Sequence, residues 1–84
     1  MKLIKFSLPN CQPCKVLAEQ IKAEGIESIE CSIQEVNLLE DTEELGFKYS
    51  IRNVPVVLVL DEKNGVIQEV GRARNIEQLK EILK

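Results

Sequence analysis

Residues 2–14 read Lys2-Leu3-Ile4-Lys5-Phe6-Ser7-Leu8-Pro9-Asn10-Cys11-Gln12-Pro13-Cys14. The opening is short, partly β-branched and aromatic, and runs into Pro9-Asn10, a loop signal, so it predicts a strand over residues 2–6. From Cys14 the apolar positions Cys14, Leu17, Ala18 and Ile21 recur at helical spacing, while Lys15, Glu19 and Lys22 fall elsewhere on the wheel. Glu24-Gly25 supplies the stop. A strand therefore hands over to a helix that begins at or just before two cysteines.

Downstream, Ile26, Ile29, Ile33, Val36 and Leu38 give a mixed period, and a second strand is expected at 33–38. Asp41-Thr42-Glu43-Glu44 has the cap and first-turn acids of a helix start, with Leu45 and Tyr49 one turn apart on the inner face of a short second helix. Pro55 opens a run of β-branched residues and Leu too apolar to leave either face in water, which marks a central strand. Asp61-Glu62-Lys63-Asn64-Gly65 reads as a hairpin connection, its Asn-Gly suited to positive φ. Val66–Val70 returns as a fourth strand and Gly71 breaks it. Asn75 caps a last helix with Ile76, Leu79 and Leu83 in one stripe, and Gln78 stands where a capping box needs it. The order is βαβ followed by αββα. With a right-handed βαβ unit, this is an α/β sandwich, a mixed four-stranded sheet flanked by three helices.

Composition narrows the function. The 84 residues are 44% hydrophobic and 30% charged, which suits one soluble domain spanning 1–84. With 4% aromatics and no Trp, a mostly aliphatic core is expected. The formal charge of −3 comes from acids and bases interspersed along the chain, not from the clustered cations that phosphate neutralisation requires, so no nucleic-acid partner is expected. The longest apolar run, Val54 to Leu60, is far shorter than the roughly 20 residues that cross a bilayer, and Met1–Phe6 holds no apolar stretch of signal-peptide length. A cytoplasmic monomer with no membrane contact is expected. Three cysteines form an odd set, which argues against a structural disulfide framework. With no His, a four-ligand zinc site would need Cys31 plus a carboxylate or a second chain. Redox chemistry is the leading use of the pair, and Cys31 reads as a free thiol without a catalytic part.

At a strand-to-helix junction, the Cys11 sulfur faces unpaired backbone N–H groups and the positive end of the helix dipole. Both favour the thiolate, the attacking species. Cys14, one turn on, belongs to the apolar face and is shielded. The asymmetry assigns roles: Cys11 attacks a substrate disulfide, and Cys14 then attacks Cys11 to release the reduced substrate. Pro13 is tolerated in the first turn and stiffens the loop. Because Gln12 and Pro13 bring no charge, the expected couple is reducing, with a Cys11 thiol modestly more acidic than a free one.

Phe6, Cys11-Gln12-Pro13-Cys14-Lys15, Tyr49-Ser50-Ile51-Arg52-Asn53-Val54-Pro55 and Gly71 together resemble the thioredoxin/glutaredoxin superfamily over essentially the whole chain. The resemblance implies the thioredoxin-like fold and a thiol–disulfide oxidoreductase. It also implies a cis bond before Pro55, a Val54 backbone that pairs with an extended client segment, and a substrate rim of Gln12, Pro13, Val54, Pro55 and Gly71. Departures accompany it. Asn10 and Gln12 stand where Trp and Gly are usual, Val56 where Thr often follows the proline, and Lys5 where a buried Asp is common. Lys5 either faces solvent at a strand edge or sits near the thiols and favours the thiolate. No bound cofactor is implied. Electrons come from NADPH through a flavoprotein reductase or, in the glutaredoxin-type alternative, from glutathione; the partners are disulfide-containing client proteins. Two further alternatives are a module holding Cu(I) or zinc between chains and a strand-binding domain that uses only the Pro55 groove.

Overall fold

The computed structural model describes residues 1–29 and 31–84. Its elements are β1 (Lys2–Ser7), α1 (Gln12–Ala23), β2 (Ser32–Asn37), a 3-10 turn (Leu38–Glu40), α2 (Leu45–Lys48), β3 (Val56–Lys63), β4 (Val66–Ala73) and α3 (Ile76–Leu83). The sheet order is β2-β1-β3-β4. β1 and β2 are parallel, and the other two pairings are antiparallel. This is the mixed four-stranded sheet that the pattern predicts.

The period-2 alternation of the two central strands sorts the core into two layers. Leu3 of β1 and Val57 and Val59 of β3 face α1 and α3, where they meet Leu17, Ile21, Ile76 and Leu79. Ile4 and Phe6 of β1 and Leu58 and Leu60 of β3 face the other way, onto Leu45, Tyr49, Ile51 and Val54. Val56 through Leu60 are all buried, which explains why that run is apolar without alternation.

Four local expectations are corrected. α2 starts at Leu45, not at Asp41. Asp41 still caps it, accepting from the N–H groups of Leu45 at 2.9 Å and Gly46 at 2.7 Å, but across an intervening stretch in which Glu44 takes a φ of 54°. A Cβ on Gly46 would lie 2.8 Å from Leu38 Cδ2 and 3.2 Å from Asp41 Oδ2, so a side chain there would make both move. The hairpin loop is only Asn64-Gly65, with φ of 54° and 79°. Asp61, Glu62 and Lys63 belong to β3, because the two positive-φ residues close a turn whose twist matches the strands. β4 does not break at Gly71 but runs on to Ala73: Leu60 pairs with Glu69 and Val59 with Gly71, so Val70 is the extra residue of a bulge. Finally, the Gln78 side chain accepts from the N–H of Arg74 at 2.8 Å, one residue beyond the Asn75 N–H of a capping box.

Candidate active site

β1 delivers the chain to one end of the sheet, and the three residues Leu8-Pro9-Asn10 turn it into α1. The turn is closed by the Cys11 N–H donating to the Leu8 carbonyl at 3.3 Å. Cys11 is the N-cap of α1, with extended backbone angles. Its Sγ accepts from the N–H of Cys14 at 3.2 Å, and its carbonyl accepts from the N–H of Lys15 at 3.2 Å. The first turn of α1 carries Pro13 and no acidic residue. The sulfur therefore occupies the position where a helix offers its spare donors, with no carboxylate competing for them.

Cys14 is 3% exposed and lies on the buried stripe with Leu17 and Ile21, whereas Cys11 is half-buried. The two sulfurs are joined in a disulfide with a Cα–Cα distance of 5.2 Å, inside the range that such bonds span without moving the backbone. Cys31 is the free cysteine among the described residues, half-buried and packed against the α1/α3 layer. Among the described residues no group of three or more His, Cys, Asp or Glu side chains is arranged to share a metal ion, and no helix is long and apolar enough to cross a membrane.

The predicted rim is partly assembled. Phe6 pairs with Val56, so Val54 and Pro55 leave β3 at the same end of the sheet at which β1 turns toward Cys11. The Val54–Pro55 bond is cis, as the resemblance implies, and both residues are half-buried. Gln12 and Pro13 are exposed beside the sulfurs. Gly71 lies elsewhere. It pairs with Val59, four residues up β3 from Pro55, which is about 13 Å of extended chain. A Cβ on it would meet Ile82 Cδ1 of α3 at 3.0 Å, so its missing side chain serves the packing of α3 at the bulge.

Lys5 does not face solvent at an edge, because β1 is flanked by β2 and β3. Its side chain is 6% exposed, and the ammonium lies 3.4 Å from Glu35, its register partner on β2, whose own side chain is 69% exposed. With Ala18, Ile21 and Lys22 of α1 and Ile33 of β2 it lines a groove between helix and sheet. The signal in the sequence was positional: Lys5 shares the face of buried Leu3. The carbonyl of Leu8, which fixes the Cys11 backbone, carried no sequence signal at all.

Two sulfurs at bonding distance, one accessible and seated on helix donors, the other shielded behind it, can exchange between dithiol and disulfide with little movement. A family model described as thioredoxin matches residues 1–84. The chain is 31% identical over 85 residues to the SPbeta prophage-derived thioredoxin-like protein YosR of Bacillus subtilis, covering 100% of this chain and 96% of that protein. It is 34% identical over 74 residues to thioredoxin C-2 of Corynebacterium nephridii, covering 84% of this chain and 66% of that protein. Among solved structures, Trichomonas vaginalis thioredoxin shares the fold with a TM-score of 0.81 at 14% identity, over 98% of this chain and 76% of that one. Fasciola hepatica thioredoxin does so with a TM-score of 0.75 at 28% identity, over 95% and 74%. With the geometry of the Cys11–Cys14 pair, these matches place the chain in the thioredoxin family, as a thiol–disulfide oxidoreductase working through that pair.

Proposed function

We propose that the protein is a cytoplasmic, monomeric reductant of protein disulfides, with Cys11 as the attacking sulfur and Cys14 as the resolving one. The observation that carries this division of labour is the Cys11 sulfur accepting the Cys14 N–H at the tip of α1 while Cys14 itself is buried. The Cys11 thiolate attacks one sulfur of the client disulfide, forms the mixed disulfide and expels the client's other sulfur as a thiolate, which takes up a proton. Cys14 then loses its proton and attacks Cys11 Sγ. The second client thiolate leaves, two electrons have passed to the client, and Cys11 and Cys14 are left as a disulfide. Val54, Pro55, Gln12 and Pro13 form the rim on which an extended client segment lies, the Val54 backbone pairing with it as an added strand.

Recharging follows the thioredoxin pattern, from NADPH through a flavoprotein reductase. Membership of the thioredoxin family favours this donor over glutathione. No cofactor is bound by the chain itself in this reading. The reducing cytosol suits a chain with one unpaired cysteine and a catalytic pair. The test is to oxidise the protein and add either a thioredoxin reductase with NADPH or reduced glutathione, counting alkylatable thiols. Recovery of both thiols with the reductase and not with glutathione is expected; recovery with glutathione alone overturns the donor assignment.

A further inference from the structure

Charges that look evenly scattered in sequence are segregated in space. Residues 1–18, 45–60 and 70–76 contain seven of the eleven Lys and Arg and none of the fourteen Asp and Glu. They include the cysteine end of the sheet, that is, the end of β1 with the start of α1, the approach to Pro55 with the start of β3, and the end of β4, together with the start of β1, where Lys2 pairs with Leu60 at the other end. Lys5 is engaged by Glu35 and Arg72 by Glu69, at 2.7 and 3.1 Å, and Lys48 lies over the Tyr49 ring. Apart from Lys2, at the far end of β1, that leaves Lys15 one turn into α1, Arg52 two residues before Val54, and Arg74 just past β4. All three are exposed, and none forms an ion pair with another described residue.

The acids that approach this end do so from its flanks. Glu40, Asp41, Glu43 and Glu44 follow β2 on one side, with the Asp41 carboxylate committed to the N–H groups of Leu45 and Gly46. Glu77 sits in the first turn of α3 on the other side. Between them, the first turn of α1, the approach to Pro55 and the end of β4 bring Lys15, Arg52 and Arg74 and no described Asp or Glu, while Glu19 lies further along α1 and Glu69 is paired with Arg72. A molecule of net charge −3 thus presents a cationic reactive face.

We propose that this face selects its clients: Lys15, Arg52 and Arg74 are specificity-determining residues that favour disulfides flanked by Asp and Glu in an extended, acidic client segment. The proposal rests on the mixed-disulfide reading above and adds the class of substrate to it. Charges arranged in this way act mainly on encounter and on rejection of the wrong partner, and salt screens them. Net charge and local charge make opposite demands: a net charge of −3 attracts a basic peptide, whereas the cationic face attracts an acidic one.

The experiment takes the reduced protein and three disulfides: a peptide cystine flanked by Asp, the same peptide flanked by Lys, and uncharged hydroxyethyl disulfide. With no Trp to report the reaction, oxidation of the pair is followed by acid quench, alkylation and mass measurement. At low ionic strength the acidic peptide is expected to react about fivefold faster than the basic one, and the ratio to fall towards one as the Debye length drops below about 4 Å at high salt. Arg52→Glu with Arg74→Glu should remove or invert the ratio. Lys63→Glu with Lys84→Glu, an equal change of net charge made elsewhere, should keep it. Equal rates for the two peptides at low salt, faster reaction of the basic peptide, or equal loss of preference in both double variants would overturn the proposal. If even hydroxyethyl disulfide fails to oxidise the pair, the redox reading falls and this one with it; oxidation by that reagent without peptide preference removes only the present inference.

Discussion

At the start of α1 the acceptor for the backbone N–H three residues into the helix is a sulfur, Cys11 Sγ on Cys14 at 3.2 Å; at the start of α3 it is an amide oxygen, Asn75 Oδ1 on Gln78 at 2.9 Å. Both N-caps have extended backbone angles. Both helices begin at the same end of the sheet, α1 after β1 and α3 after β4. The second helical position differs: Pro13 in α1, Glu77 in α3. In α3 a carboxylate answers the positive helix end, and the cap is purely structural. In α1 neither a carboxylate nor a second-position N–H intervenes, so the field of the helix end acts on the capping atom itself. One local solution to the same backbone requirement thus yields a stop in one place and a nucleophile in the other. The reactive site is a helix cap built with sulfur.

The largest effect is expected at Cys11. Cys11→Ser keeps a good capping side chain, so helix content and thermal midpoint should hardly change, while reduction of a protein disulfide should fall by about a thousandfold or more, since no other group supplies the nucleophile. An insulin-type turbidity assay beside circular dichroism reads both, and unchanged turnover would end the role given to Cys11. Cys14→Ser should stop turnover at a different stage. The first exchange still occurs, so the Cys11–client mixed disulfide accumulates and is seen as a mass adduct that dithiothreitol releases. An adduct on Cys31 instead would point to another thiol.

A milder change makes α1 resemble α3. Gln12 is exposed at the first helical position, and Gln12→Glu brings a carboxylate beside the cap. A like charge and a partly satisfied helix end both disfavour the thiolate, so the Cys11 thiol pKa rises and less of it is ionised at neutral pH. The pH at half-maximal alkylation of Cys11 should move up by about half a unit, with a loss of about threefold in rate at pH 7. A downward shift would show that the helix end does not control this sulfur.

The junction was legible in the sequence because it is local: a strand, a loop signal and helical spacing beginning at Cys14 lie within a few turns of chain. Val56–Leu60 was equally plain, since a strand buried on both faces cannot alternate. What was not legible depends on partners distant in sequence. Whether Lys5 reaches solvent turns on β2 pairing in parallel beside it. The bulge at Val70 arises from the register against Leu60 and Val59, so Gly71 read as a strand stop and a rim residue when it is neither. Asp41 looked like an adjacent cap and proved to act across three residues on Leu45. The cis bond before Pro55 came only through family resemblance, because an X–Pro bond in a folded chain is ordinarily trans.

The smallest effect belongs to the inert cap. Asn75→Ala removes the acceptor for the Gln78 N–H, and loss of an N-cap side chain typically costs about 1 kcal/mol. In a domain of this size that is a fall in thermal midpoint of about 4–8 °C. Asn75→Asp should restore most of it, since a carboxylate fills the same acceptor position and also suits the positive helix end. Neither variant should alter the alkylation rate of Cys11, because the two caps serve separate helices and share no hydrogen bond. If Asn75→Ala slows Cys11 as well as lowering the midpoint, the two helix starts are coupled through the end of β4, and the reactivity of the sulfur would be a property of that whole end of the sheet and not of the α1 tip alone.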